Sequence, residues 1–346
     1  MSKVQQVPRI LVIYTGGTIG MLKDPDTGAL KPFNFDTLYK HIPILEKLHC
    51  VIHSHSFDPL IDSSNVKPAF WIRLAEVIEN NYHDYEGFVV LHGTDTMAYS
   101  ASMLSFMLEN LGKPVVFTGS QLPMGVIRTD GRENFINAIE IASAYVDGKP
   151  LVPEVCICFE NNIMRGNRTN KFNAEHFNAF LSGNYPYLAQ VGVHIKYNDQ
   201  YILQPSGKDL IVHKKLDTNV AILKLFPGIS EGVVRSILSI HGLKAIILET
   251  YGAGNAPTDK WFIDALREAI ERDIVILNVT QCKGGSVEMG KYETSVYLGG
   301  IGVIGGYDIT TESAVAKMMY LLAKGFTTVK LKRLLQIPLR GELTID

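Results

Sequence analysis

The sequence predicts an α/β protein in two parts, a larger N-terminal domain and a smaller C-terminal domain, each built on a mostly parallel sheet flanked by helices. Three observations carry this prediction. Short apolar, β-branched runs alternate with stretches of helical period. Each run is followed by turn residues. A polar interval near two thirds of the way along divides the series.

The first run is 10–14 (ILVIY), with Thr15-Gly16-Gly17 after it. Further runs follow at 88–91, 115–118 and 155–159, each with few polar residues inside, the pattern of strands buried on both faces. Helices are expected between them. The stretch 71–80 has apolar residues at 71, 74, 75 and 78, and 96–110 ends before Leu111-Gly112-Lys113-Pro114, a stop signal. A third helix is expected at 134–145. Strand–helix alternation of this kind argues a parallel sheet covered on both faces. The interval 196–215 is polar, with Asn-Asp, Pro-Ser-Gly and Lys-Lys pairs, and reads as a linker. Beyond it come strands at 220–225, 245–249 and 275–279, with helices near 231–240, at 260–271 and within 311–324. The expected division is therefore 1–195 for the catalytic domain, 196–216 for the linker and 217–346 for the second domain.

Length and composition narrow the function. A chain of 346 residues with 46% hydrophobic and 20% charged residues is that of an ordinary globular protein. Its 33 Lys plus Arg balance 35 Asp plus Glu, so no basic stripe offers itself to nucleic acid. No run approaches the roughly 18 apolar residues that span a bilayer. The N-terminal apolar stretch is too short for a signal peptide and reads as the first strand. The four cysteines (Cys50, Cys156, Cys158, Cys282) form neither a CxxC pair nor a disulfide framework, and buried thiols in a reducing cytosol are expected. His53 and His55 would share one face of a strand, but no third ligand stands near, so no metal site is expected. The aromatic residues Phe177, Phe180, Tyr185 and Tyr187 read as packing or a subunit interface.

In a parallel α/β sheet, ligands gather at the carboxyl ends of strands. Two such ends attract notice: Thr15-Gly16-Gly17-Thr18-Ile19-Gly20 after the first run, and His92-Gly93-Thr94-Asp95-Thr96 after the second. Taken alone, each has a bland reading. The glycines make a tight turn, and Thr94 or Asp95 caps a helix. The first motif matches neither GxGxxG nor the P-loop.

Together, TGGTIG (15–20) and HGTDTMA (92–98) resemble the bacterial-type L-asparaginase family, and closely its type I, cytoplasmic branch. The resemblance continues in order through DSSN (62–65), TGSQLP (118–123), DGRENFINA (130–138) and RGNRTNK (165–171). It goes on through YGAGNAP (251–257), TQC (280–282), GGYDITTE (305–312) and LRGELT (339–344). The resemblance implies hydrolysis of L-asparagine to L-aspartate and ammonia without metal or organic cofactor, in a cytoplasmic homodimer or homotetramer. It implies Thr18 as nucleophile, forming a β-aspartyl ester, with Thr94, Asp95 and Lys171 as a second catalytic cluster. A threonine hydroxyl is a poor nucleophile at neutral pH and needs a base or a strong hydrogen-bond partner; which threonine Lys171 assists stays open. Asp62, Ser63 and Ser64, with Thr94 and Asp95, are implied to clamp the substrate's α-amino and α-carboxylate groups. Asn255 is implied to reach a neighbouring subunit's site. Backbone N–H groups at the Thr94 turn are natural oxyanion donors, each such donor contributing roughly 3–4 kcal/mol in acyl-transfer sites.

Two departures stand out. The loop 21–29 lacks the tyrosine that closes over the site in much of the family, and Ala29 stands in its place. Members with a regulatory second site use an arginine where this chain has Glu249, and a glutamate there would repel a substrate carboxylate; Cys282 is then expected to be an ordinary buried thiol. Other readings are a glutaminase or another asparaginase-like hydrolase such as a lysophospholipase, a tRNA-dependent amidotransferase subunit, and a non-catalytic sensor. The amidotransferase subunits carry an additional N-terminal region, whereas about 17 residues precede Thr18 here. A sensor is expected to have lost Thr18, Thr94, Asp95 or Lys171.

Overall fold

The computed structural model describes residues 7–23, 30–32, 42–290 and 293–345. The chain forms two compact units, Met1–His213 and Lys214–Asp346.

In the first unit, β1 (Arg9–Tyr14), β2 (Val51–Ser56), β3 (Gly87–Leu91), β4 (Val115–Thr118) and β5 (Val155–Phe159) run parallel. An antiparallel extension follows: β6 (Asn162–Arg165), then β9 (Ala189–Gln190) and β10 (Lys196–Tyr197). A separate two-stranded ribbon pairs β7 (Asn170–Lys171) with β8 (Phe180–Leu181). The order across the large sheet is β10-β9-β6-β5-β4-β3-β1-β2. From β1 the chain goes outward to β2 and then returns to the other flank at β3. The strand order thus reverses between β1 and β3, and ligands of open α/β sheets bind in the crevice outside the carboxyl ends of the strands at such a point.

Among the described residues, three helices cover the sheet: α1 (Pro68–Asn81), α2 (Met97–Met107) and α3 (Gly131–Ser143). Val12, Val89, Leu91, Val116 and Cys156 form one core with Phe135, Ala138, Ile139 and Ala142 of α3. The alternate strand residues Ile13, Phe88, Val90, Phe117 and Ile157 are buried as well. Apolar residues on both faces are what a doubly covered sheet requires. α2 is buried nearly all round, with Ser100, Ser102 and Ser105 inside. It ends before the expected 110, because Leu108–Glu109 leaves the helix to pair with Ile211–Val212.

That pairing also places much of the polar stretch 196–216 within the first unit. β10 opens it, a 3-10 turn occupies Asp199–Tyr201, and Arg165 donates to the Tyr201 carbonyl at 2.7 Å. The stretch is thus partly ordered by pairing.

The second unit holds a parallel four-stranded sheet in chain order, β11 (Val220–Lys224), β12 (Ala245–Thr250), β13 (Val275–Thr280) and β14 (Ile304–Gly305). Its helices are α4 (Glu231–Leu238), α5 (Lys260–Glu271), α6 (Glu293–Gly300), α7 (Thr311–Leu322) and α8 (Thr328–Leu335). Phe262, Leu266 and Ala269 of α5 pack on Ile246, Leu248 and Ile276. In α7, Lys317 is fully buried and pairs at 2.6 Å with the equally buried Glu342 in the C-terminal tail. No helix among the described residues is long and apolar enough to cross a membrane.

Candidate active site

The carboxyl ends of β1, β3 and β4 converge where the strand order reverses. Thr15 is tied to the end of β3 twice, its N–H and its hydroxyl both donating to the Leu91 carbonyl at 3.0 and 2.8 Å. The chain then turns through Gly16 (φ 135) and Gly17 (φ 87), conformations that side chains rarely adopt. A Cβ on Gly17 would strike the backbone of Gly93, so the two turns lie in contact. Thr18 opens a short 3-10 turn, half-buried, and its hydroxyl bonds to no described residue.

After β3, Gly93 passes so close to Ser63 that a Cβ there would meet the Ser63 Oγ. The Thr96 hydroxyl donates to the Ser63 carbonyl at 2.7 Å, fixing the 62–65 turn against the start of α2. Asp62 is exposed and accepts from the Ser64 N–H and hydroxyl, both at 2.8 Å; these bonds, the backbone one foremost, hold its carboxyl below the usual range. Asp62, Ser63 and Ser64 therefore border the same crevice as the Gly93 turn.

Lys171, at the end of β7, extends its ammonium to this crevice. Nζ donates to Thr94 Oγ1 and to Asp95 Oδ1, each at 2.8 Å. The Lys171 side chain is 17% exposed and that of Asp95 64%, so the ammonium is sheltered while the carboxylate faces solvent. Among the described residues, Lys171 thus bonds Thr94 and not Thr18. That hydroxyl donates in turn to Gln121 Oε1 at 3.3 Å, and the Gln121 amide donates to the Ala174 and His176 carbonyls.

Gln121 belongs to TGSQLP, and its support comes from DGRENFINA. Asp130 accepts from the N–H groups of Gln121 and Leu122, and Asn134 donates to the Gly119 carbonyl at 2.9 Å. The segment leading to Lys171 is fixed by Arg165, which pairs with buried Glu154 at 2.6 Å and stacks with Arg168 on Tyr185.

Comparison with known proteins gives this geometry its relatives. A family model for the asparaginase N-terminal domain matches residues 9–203, and one for the glutaminase/asparaginase C-terminal domain matches 219–335. The chain belongs to the asparaginase family. It is 43% identical to L-asparaginase 1 of Escherichia coli, over 99% of both chains. It is 41% identical to a 60 kDa lysophospholipase of Mus musculus, over 97% of this chain and 63% of that one. L-asparaginase I of Vibrio cholerae superposes with a TM-score of 0.87 at 41% identity, over 98% of this chain and 99% of the other. The thermostable L-asparaginase of Thermococcus kodakarensis reaches 0.88 at 30% identity, over 98% and 100%.

Set against the asparaginase motifs, the structure brings Thr94, Asp95 and Lys171 into one hydrogen-bonded cluster, with the Thr18 turn against Gly93 and Ser63 beside it. Asn255 lies in the second unit, in a tight loop closed by paired backbone bonds with Tyr251. The expected lid position, Ala29, is outside the described residues. Glu249 accepts from the Thr311 hydroxyl at 2.6 Å and pairs with Lys224 at 3.4 Å, so its charge is met within its own unit. Cys282 is exposed, contrary to the expectation of a buried thiol, because it sits in the turn after β13 rather than in the strand; Cys50 is half-buried, while Cys156 and Cys158 are buried. His53 bonds Tyr85 at 3.0 Å on the exposed side of edge strand β2. Sequence reasoning assigned no role to Gln121 or His92; the motifs holding them were visible, but not the contacts they make.

Proposed function

We propose that this chain hydrolyses the side-chain amide of L-asparagine, giving L-aspartate and ammonia, with Thr18 as nucleophile. The observation that carries the reading is the Lys171 ammonium 2.8 Å from both Thr94 Oγ1 and Asp95 Oδ1, at the turn that Gly17 touches. The full-length likeness to curated L-asparaginases supports the substrate.

The reaction divides into two acyl transfers. Thr18 Oγ attacks the amide carbon, the C–N bond breaks, and ammonia leaves carrying the threonine proton. The product of this step is a β-aspartyl ester on Thr18. Water then adds to the ester carbon, and one of its protons returns to Thr18 Oγ as aspartate departs. Thr94 orients that water, and the Lys171 ammonium beside it offsets negative charge developing on the hydroxyl. Exposed Asp95 and Asp62 supply anions for the substrate's α-ammonium, and the Ser63–Ser64 turn receives its α-carboxylate. We propose further a cytoplasmic homo-oligomer, a dimer or tetramer, in which Asn255 completes a neighbour's site; no metal or organic cofactor enters this chemistry.

Ammonia release from L-asparagine and L-glutamine, measured in parallel, tests the substrate. Turnover of asparagine well above glutamine is expected. Absence of turnover with either amide would overturn the reading, and preference for glutamine would move the substrate by one methylene.

A further inference from the structure

Directly beneath the Thr94 turn lies a buried histidine that the two acyl transfers leave unused. His92 is 1% exposed and held between the rings of Phe70 and Phe117, with centroids 5.4 and 5.9 Å away. Its Nδ1 is 2.6 Å from the Gly93 carbonyl oxygen, and its Nε2 is 2.9 Å from Ser100 Oγ. The Trp71 indole N–H donates to the same Ser100 oxygen at 2.9 Å.

Donor and acceptor types settle the protons. A carbonyl only accepts, so Nδ1 carries the hydrogen. Burial pushes the imidazole pKa down to about 4, so the ring is neutral near pH 7 and Nε2 accepts the Ser100 hydroxyl proton. The Ser100 hydroxyl thereby accepts from Trp71 and donates its one hydrogen to His92. One tautomer is selected, and the Gly93 carbonyl is drawn inward onto it.

Peptide planarity transmits that choice outward. In a trans peptide the C=O and the next N–H point in opposite directions. With the Gly93 oxygen turned toward the buried imidazole, the Thr94 N–H points away from it, on the crevice side. No described residue accepts from this N–H, although Thr94 is only half-buried.

We propose that His92 is a positioning residue, which by binding the Gly93 carbonyl aims the Thr94 N–H at the developing oxyanion of the substrate. This rests on the acyl-transfer reading above. The Trp71–Ser100–His92 chain joins α1 and α2 to the turn and keeps that donor oriented before substrate arrives, the condition under which such donors act most strongly.

Two variants separate the roles of the ring nitrogens. An asparagine amide nitrogen stands near the place of Nδ1, whereas glutamine offers its amide near Nε2. His92→Gln is expected to lower kcat by about 10²-fold, the order found when one oxyanion donor is lost, with KM changed by less than about threefold. His92→Asn, keeping the donor to Gly93, is expected to recover most of that loss. Nitrogen NMR of the intact protein is expected to show the Nδ1–H tautomer of His92, a readout independent of activity. Equal kcat in the two variants, a loss confined to KM, or an Nε2–H tautomer would overturn the proposal. An intact chain that releases no ammonia would instead overturn the acyl-transfer reading, while the tautomer still reports on His92.

Discussion

At the scale of single residues, Lys171 is where catalysis and stability separate most cleanly. Its ion pair with Asp95 is solvent-facing on the carboxylate side, and exposed pairs of this kind contribute about 0–1 kcal/mol to folding. Lys171→Met should therefore leave the melting temperature within a few degrees of the parent. Its kcat for asparagine should fall by about 10²–10³-fold, the range of one lost group that stabilises developing negative charge. Steady-state kinetics beside a thermal melt checks both; equal kcat would remove Lys171 from the reaction. His92 supplies a pH dependence of known sign. Its folded pKa, about 4, lies below the ordinary value of 6.5, so the unfolded chain binds the extra proton first. The stability it contributes is complete above pH 6.5 and is lost as pH falls toward 4, a change of about 3 kcal/mol. Denaturant titrations at stepped pH should show that His92→Asn flattens this part of the curve; an unchanged slope would contradict the assignment.

At the scale of elements, the site depends on two strand ends held in contact by glycines. Gly17 has φ 87, and a Cβ there would fall on the Gly93 backbone. Gly17→Ala should push the β1 and β3 turns apart, reducing asparagine turnover by at least about 10²-fold, as small misplacements of reacting groups do. Ammonia release from the folded variant checks this; near-parental turnover would mean that the turns need not touch. In the second unit the structural burden falls on the Lys317–Glu342 pair, which joins α7 to the C-terminal tail. Lys317 also donates to the Leu335 and Ile337 carbonyls, and Glu342 accepts the N–H groups of Leu339 and Arg340. Lys317→Met should destabilise the protein by about 3–5 kcal/mol, because a buried carboxylate is left without its cation. A loss below about 1 kcal/mol in urea unfolding would show that the tail tolerates release.

At the scale of the whole molecule, what could be read from the sequence follows from burial. β1, β3, β4 and β5 lie under helices on both faces, so each is an uninterrupted apolar run and was legible with bounds within a residue. Edge strand β2 reads VIHSHS and is half exposed, so its polar residues hid it. The pieces β6, β9 and β10 are too short to carry a period, and the sequence showed polarity at 196–215 without the pairing that orders part of it. The site residues were legible as motifs, but only resemblance linked them. Lys171 and Thr94 are 77 positions apart, and no local pattern predicts that the ammonium bonds Thr94. His92 was hidden because its significance lies in which way a peptide faces.

The central claim is that Thr18 carries the acyl group, and the most direct test is to trap that group. Acid quench of the protein during asparagine turnover, followed by proteolysis and mass spectrometry, should find an aspartyl adduct on the peptide containing Thr18. The adduct should vanish in Thr18→Val along with ammonia release. An adduct on the Thr94 peptide, or undiminished turnover by Thr18→Val, would contradict the account.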